Sequence, residues 1–195
     1  MKNKKWNIAS SDNRPVWIIL FVSRNKDNKH LDHFHERRQA FISKEPFNSH
    51  IIHDLFELFV KNGQKGELCR MYHSVNARNE KNIRKELLHF LIDNPDFNIC
   101  DIQSKMAKIA AAKENAITKQ WLFDFDIDDS EKLNEFCDDI LEIDSTVQIK
   151  THKTPNAYAV VVSHGFDTRK LFEKWNKDVS LKRDALLCKT WQTSK

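Results

Sequence analysis

The stretch from residue 119 to 129, Lys-Gln-Trp-Leu-Phe-Asp-Phe-Asp-Ile-Asp-Asp, constrains the fold more than any other part of the sequence. Successive side chains of a β-strand point to opposite faces, so the aromatic residues share one face and the aspartates share the other. The first face holds Trp121, Phe123, Phe125 and Ile127, and the second holds Leu122, Asp124, Asp126 and Asp128. Aromatic residues favour strands, whereas aspartates in register repel one another unless a cation lies among them.

Two interpretations of these aspartates follow from their chemistry. A hard divalent cation such as Mg²⁺ or Mn²⁺ would neutralise them and keep coordination positions open for a phosphate group. The other interpretation is an acidic, solvated turn in which Asp128 and Asp129 cap the next helix. The rest of the sequence has to decide between the two.

Charge is distributed unevenly along the chain. Residues 1–95 carry 17 Lys and Arg against 11 Asp and Glu, whereas residues 96–195 carry 15 against 17. A basic half beside an acidic cluster is compatible with a phosphate-rich partner and a metal ion.

Composition excludes several classes of site. With only three glycines, the chain contains neither a Walker loop nor a G-x-G-x-x-G fingerprint. The four cysteines form no C-x-x-C pair, which argues against a zinc site, and we expect reduced thiols in a cytoplasmic protein. The apolar run Val16–Val22 is far shorter than the roughly 20 residues of a membrane helix, so no membrane partner is expected.

Periodicity and turn residues divide the chain into segments. We expect a flexible basic arm, an N-terminal segment that is mostly helical after one strand, and a palm-like α+β module; their respective ranges are 1–14, 15–66 and 67–195. The last two segments can also form one continuous domain, 15–195. Within the N-terminal segment we predict a buried strand over Val16–Val22 and helices over about 31–42 and 48–61.

Two further strands carry a polar face like that of the aspartate strand. Alternation places one set of polar side chains on a strand near residue 70, with Arg78 just beyond it, and another on a strand near residue 150. The first set is Arg70, Tyr72, Ser74 and Asn76, and the second is Gln148, Lys150 and His152. If all three strands share one sheet with helices on its apolar side, the polar faces converge into a site suited to phosphoryl or nucleotidyl transfer.

The order of elements from residue 121 to 176 is β-α-β-β-α, which predicts a ferredoxin-like or RNA-recognition-type palm. The predicted fold class is therefore α+β, with an antiparallel-rich sheet packed by helices. Residues 181–188 fit a helix or a strand equally well.

The motif Trp121-Leu-Phe-Asp-Phe-Asp126 resembles the hydrophobic-Asp-x-Asp metal motif of the archaeo-eukaryotic primase superfamily, which includes phage and plasmid primase-polymerases. Arg70-Met-Tyr-His-Ser-Val-Asn76 resembles the strand-plus-helix module that precedes this motif, so the resemblance covers about residues 68–190. It implies that Asp124 and Asp126 bind catalytic Mg²⁺ or Mn²⁺, and that the partners are nucleic acid and nucleoside triphosphates.

Two other motifs of the superfamily have more than one candidate here. A small residue, any residue and a nucleotide-binding histidine correspond to Lys150-Thr-His152, where a lysine replaces the small residue, or to Val162-Ser-His164. The late acidic residue corresponds to Asp184 or Asp167.

The leading hypothesis is a metal-dependent nucleotidyltransferase of the primase-polymerase type. Its catalytic residues would be Asp124, Asp126 and Asp184, and its nucleotide-binding residues Arg70, Tyr72, Ser74, Asn76, Arg78, Lys150, His152 and His164. Two alternatives stay open. One is a non-catalytic nucleic-acid- or partner-binding protein on a degenerate primase-like fold, which would use the basic N-terminal half and exposed Tyr72 or Trp6. The other is a metal-dependent nuclease or phosphodiesterase.

Overall fold

The computed structural model describes residues 15–45 and 48–195, so the predicted arm and Trp6 lie outside the described residues. Within these ranges the chain is a mixed α and β protein with two antiparallel sheets packed by five α-helices. The strands are β1 Pro15–Ser23, β2 Arg37–Ser43, β3 Leu68–Ser74, β4 Arg78–Asn79, β5 Trp121–Phe125, β6 Ile149–Lys153, β7 Tyr158–Val162, β8 Val179–Lys182 and β9 Leu186–Thr193. The helices are α1 His50–Lys61, α2 Glu80–Asp93, α3 Ile102–Ala110, α4 Ser130–Ile143 and α5 Arg169–Trp175. None of the helices in these ranges is both long and apolar enough to cross a membrane.

The first sheet has the strand order β2-β1-β3-β9, and β4 pairs with the start of β1. Strand β1 is the apolar run that the sequence predicts as a buried strand. Its residues Ile19 and Phe21 pack against α1, whereas Val16 and Ile18 pack against α2 and α3 on the opposite face. Because both faces are covered, nearly every side chain of β1 is apolar.

The second sheet has the strand order β6-β7-β5-β8, with each neighbouring pair antiparallel. Helices α4 and α5 cover one face, where Phe123 and Phe125 are fully buried against Phe136 and Trp175. The alternation of β5 therefore divides aromatic from acidic side chains as the sequence predicts. The other face of this sheet contacts β9 through Leu187.

The helix predicted over residues 31–42 is wrong, because residues 37–43 form strand β2. This strand pairs with β1 from Trp17↔Ser43 to Ser23↔Arg37. Without it, the backbone N–H and C=O groups along one edge of β1 would have no strand partner. This pairing between distant backbone groups outweighs a weak helical pattern, and the N-terminal segment therefore contains two strands and one α-helix rather than being mostly helical. The first sheet also includes strands from both sides of the segment boundary expected at residue 66.

A buried ion pair fixes the start of β2 to the segment before β3. Glu67 is 1% exposed, and its carboxylate accepts hydrogen bonds from Arg37 Nε at 2.9 Å and from the Gln64 backbone N–H at 2.7 Å. Burial alone would raise the pKa of Glu67, but the hydrogen bonds, first of all those from Arg37, outweigh it and hold the pKa below its usual value. The stabilisation is therefore present above a pH of about 4.5 and is lost as pH falls through the lowered pKa.

We predict that Glu67→Gln destabilises the fold by about 1–3 kcal/mol, because the substitution removes a charge-assisted bond in a buried place. Urea denaturation at pH 7 measures the effect, and the difference from the native chain should shrink below pH 4. The matched control is Glu36→Gln, which breaks the solvent-exposed pair with Arg38 and should change little. Equal effects of the two substitutions would contradict the structural role of Glu67.

Candidate functional site

Asp124 of β5 and Asp126 just beyond its end lie on the side of the sheet that α4 and α5 leave uncovered. Asp124 points away from the aromatic core because its neighbours Phe123 and Phe125 point into it. Asp126 follows the end of β5, where its backbone N–H donates to the Asp178 carbonyl at 2.9 Å and its side chain is exposed. Both carboxylates line a cleft of about 250 Å³, which we call the aspartate cleft.

The opposite wall of the aspartate cleft comes from the first sheet and the loop after β1. Its cationic and polar side chains are Arg24, Lys26, Arg70 and Tyr72, with Cys188 beside them on β9. The structure therefore brings together four of the residues that the sequence nominates: Arg70, Tyr72, Asp124 and Asp126. Two carboxylates of one sheet face three cations that the other sheet and its loop supply.

Asp27 holds the two arginines of this wall in place. Its carboxylate accepts from Arg70 Nη2 at 2.7 Å and from Arg24 Nε at 2.7 Å. Arg70 is 6% exposed, and its Nε atom has no hydrogen-bond partner among the described residues. This Nε atom is itself buried, but the guanidinium groups of Arg24 and Arg70 line the cleft and are suited to binding an anion.

Lys182 of β8 shares the sheet face of Asp124 and forms an ion pair with its carboxylate. In this arrangement a positive charge already lies beside Asp124, where a metal ion would otherwise neutralise the carboxylate. The described ranges contain no group of three or more His, Cys, Asp or Glu side chains arranged to hold a metal ion. The carboxylates that line the cleft are those of Asp124 and Asp126, and Tyr72, Thr154 and Asn156 add neutral side-chain oxygens.

Burial shifts the pKa values of two other groups of the cleft wall, Cys188 and Tyr72, further above neutral pH. It raises the pKa of the Cys188 thiol to about 11, although Arg70 and Arg24 act in the opposite direction. Burial, and next the neighbouring Cys188, also raise the pKa of the Tyr72 phenol. Cys188 is therefore a thiol rather than a nucleophilic thiolate, and Tyr72 can donate a hydrogen bond.

Lys150 and His152 line a second pocket of about 290 Å³. We call it the basic pocket; its other aromatic and cationic side chains are Trp17, His73 and Lys189. His152 pairs with Ala159, which pairs with Asp124, so His152 and Asp124 share a face two strands apart, about 10 Å. Leu187 lines both pockets, which makes them neighbours.

Four of the nominated residues are bound to one another beside these pockets. Asn76 accepts from the Gln120 backbone N–H at 2.7 Å and donates to Asp184, while Arg78 makes two bonds to Asp184 at 2.7 and 2.8 Å. The Ser74 hydroxyl donates to the Asn76 carbonyl at 2.9 Å. These hydrogen bonds join the end of β3 to the backbone before β5 and to the turn between β8 and β9. None of the four residues lines the aspartate cleft.

The remaining candidates, His164 and Asp167, lie after β7 and away from both pockets. His164 Nε2 contacts the Asp144 carboxylate at 3.2 Å, and its Nδ1 lies 3.0 Å from the Ser163 hydroxyl. Asp167 forms an exposed pair with Arg169, which lowers the pKa of Asp167 to about 2. Of the two candidates for the nucleotide-binding histidine, His152 is the one that shares a face with Asp124.

Sequence reasoning missed Arg24, Lys26, Asp27 and Lys182 as parts of the cleft. The first three sit in a short turn after β1 whose composition is that of any polar loop. Lys182 lies in the segment that fits helix or strand equally well, so its face was undefined. For Lys182, the missing signal is the register of β8 against β5, whereas no pattern in the sequence distinguishes the three loop residues.

The comparisons with known proteins add no further constraint. No protein-family model, no curated protein and no solved structure matches the chain.

We predict that Asp184→Ala destabilises the fold by about 3 kcal/mol, because it leaves Arg78, which is 2% exposed, as an unpaired buried charge. Chemical denaturation measures this loss. The matched control is Asp167→Ala, the other candidate for the late acidic residue, which breaks only an exposed pair. An Asp184 variant as stable as the control would show that Asp184 is free to act in chemistry instead.

Proposed function

We propose that the aspartate cleft binds a nucleoside triphosphate with Mg²⁺ or Mn²⁺, and that the protein is a nucleotidyltransferase of the primase-polymerase type. One observation carries the proposal: Asp124 and Asp126 face Arg24, Lys26 and Arg70 across a single cleft. Phosphoryl transfer requires this pairing of carboxylates with cations, because the substrate brings both a metal ion and several negative charges.

The topology of the second sheet supports a palm of the ferredoxin-like type. Its elements follow one another as β5-α4-β6-β7-α5-β8, and its strands are ordered β6-β7-β5-β8. This βαββαβ succession is the one that characterises ferredoxin-like units. The resemblance of Trp121-Leu-Phe-Asp-Phe-Asp126 to the primase metal motif points in the same direction.

The residues of the cleft fit a hard divalent cation. Asp124 and Asp126 offer carboxylate oxygens, and the exposed side of the cleft admits water and substrate oxygens. The Lys182 ammonium beside Asp124 shows that this position favours a positive charge, and Lys182 must move aside for a metal ion to bind there. When bound, the metal ion would neutralise and orient the phosphates of the substrate.

The side chains of the chain itself have separate tasks in this proposal. Arg70, fixed by Asp27, and Arg24 present guanidinium groups to the triphosphate. Lys26 adds charge at the edge of the cleft, and Tyr72 donates a hydrogen bond to a sugar or phosphate oxygen.

A second candidate function is a nucleic-acid-binding protein without catalysis on the same fold. The ion pair between Lys182 and Asp124 favours it, as does the engagement of Asp184 by Arg78. In this reading the cleft would retain its shape and its cations, whereas the metal site would be lost.

We predict that Asp124→Asn combined with Asp126→Asn abolishes Mn²⁺-dependent incorporation of labelled nucleotides and leaves the fold intact. Mn²⁺ at 100 times its dissociation constant should raise the melting temperature of the native chain by about 5–10 °C, and the double variant should lose this shift. Asp128→Asn with Asp129→Asn is the matched control, since it removes the same charge outside the cleft and asparagine still caps α4. Undiminished incorporation by the Asp124 and Asp126 variant would refute the proposal, and shortening of the oligonucleotide instead of extension would indicate a nuclease.

The non-catalytic alternative makes a different prediction. Binding of a labelled oligonucleotide would weaken steeply between 50 and 200 mM salt. The reason is that lysines and arginines of the protein release counterions from the phosphates when they bind, and added salt opposes this release. EDTA would leave the binding unchanged. Anisotropy titrations with and without EDTA measure both effects. Binding that EDTA abolishes and salt hardly affects would exclude this alternative.

A further inference from the structure

The basic pocket combines the two chemical features that single-stranded nucleic acid requires, namely cations and a partly exposed aromatic side chain. Lys150, His152 and Lys189 supply the cationic and hydrogen-bonding groups, and Trp17 supplies an indole that is stacked on the His73 imidazole at 5.8 Å between ring centroids. No Asp or Glu is among the described residues that line the pocket. Its lining is therefore positively charged.

The fold directs these groups to one place from four strands, β1, β3, β6 and β9. Met71 pairs with Thr190 and Tyr72 pairs with Cys188, which makes Lys189 the extra residue of a β-bulge in β9. Bulges redirect a side chain out of the regular alternation, and the Lys189 ammonium comes within 3.5 Å of His152 Nε2 on the other sheet. The pocket thus lies where the two sheets meet.

The electrostatics of the pocket indicate that it favours an anion. Burial, and next the neighbouring Lys150, lower the pKa of Lys189 to about 8. Burial, and next Lys189, lower the pKa values of His73 and His152 to about 4. A phosphate group placed among them would relieve the repulsion between the lysines and could accept hydrogen bonds from the imidazoles.

The position of the pocket favours a strand over a free triphosphate. It adjoins the aspartate cleft through Leu187, yet Lys150 and His152 do not line that cleft. A nucleotide held by Asp124 and Asp126 would occupy the cleft itself, whereas a polymer can extend from one pocket into the next. Aromatic side chains beside cations are the usual means of binding single strands without sequence preference.

We propose that the basic pocket binds the phosphodiester backbone of a single-stranded nucleic acid, with Trp17 as a stacking surface for one base. The assignment rests on the proposed function in one respect: we take the bound strand to be the one that continues toward the aspartate cleft. Binding of the strand to the pocket requires neither a metal ion nor Asp124.

The test is anisotropy titration of a fluorescein-labelled single-stranded oligonucleotide of about 12 nucleotides, a length within the range of single-strand sites. We expect Lys150→Gln with Lys189→Gln to weaken binding about tenfold and to lower the slope of log affinity against log salt by about 1.4, since each phosphate contact contributes about 0.7. Lys132→Gln with Lys177→Gln removes the same charge from exposed positions outside both pockets and should leave affinity close to that of the native chain. Trp17→Leu should weaken binding about tenfold at an unchanged salt slope, because it removes stacking rather than charge.

Three results would overturn the assignment. One is equal affinity and slope for the pocket variant and its control, and another is the absence of oligonucleotide binding by the native chain. The third is a pocket variant that loses binding of a nucleoside triphosphate in Mn²⁺ but retains the oligonucleotide, since the pocket would then serve the triphosphate. Melting temperatures of all variants show that each one is folded.

The Asp124→Asn and Asp126→Asn variant separates this assignment from the proposed function. If the native chain incorporates no nucleotide while oligonucleotide binding still depends on Lys150 and Lys189, the proposed function fails and the strand site stands. If incorporation depends on the aspartates while the pocket variant binds the oligonucleotide normally, the reverse holds.

Discussion

The buried contact between Arg78 and Asp184 joins the first sheet to the turn that leads from the second sheet into β9, and it lies beside the walls of both pockets. Arg78 follows β3, whereas Asp184 lies in the turn between β8 and β9, so two bonds of 2.7 and 2.8 Å join segments 106 residues apart in the chain. Asn76 extends the network to the backbone before β5. A charged pair in a low-dielectric place tolerates little displacement, because any separation leaves a buried charge without its partner. The polar faces of β3 and β5 are therefore held at one distance and in one orientation.

In the aspartate cleft, one side chain, Asp27, orients the two arginines that line the cationic wall. Asp27 uses its carboxylate to orient Arg24 and Arg70, and so it lowers the entropy that a bound phosphate would otherwise have to remove from these long side chains. Whereas Asp27 prepares its arginines for an anion, the ion pair of Lys182 with Asp124 would compete with an incoming cation. The cationic wall is thus held in place by Asp27, and a metal ion could bind at the acidic wall only if Lys182 moved away from Asp124.

Local patterns predicted β5, α4 and the β6–β7 hairpin because each combines a clear periodicity with clear turn residues. The helix expected over residues 31–42 was wrong because the edge of β1 determines the structure of that segment, and no local pattern reports this edge. A contact with a distant segment also explains why Ser74, Asn76 and Arg78 do not line the aspartate cleft as a binding surface. Alternation correctly indicated a polar cluster, but whether its members bind a ligand or one another depends on Asp184, which is distant in sequence. The placement of Arg70 opposite Asp124 could be anticipated as a convergence of faces, whereas the position of Lys182 required the register of β8.

The bulge at Lys189 links the two pockets physically. In a regular strand, Lys189 and Leu187 would point to the same face; the extra residue breaks this alternation, so that Leu187 packs between the sheets while Lys189 reaches His152. The polar side chains Lys150 and His152 of β6 are thereby joined by Lys189 of the other sheet, where β9 pairs with β3. Because Leu187 lies in the core and lines both pockets, the two charged pockets adjoin across a buried apolar side chain. Under the proposed strand site, a sugar-phosphate chain could continue from one pocket into the next, because the two pockets share Leu187.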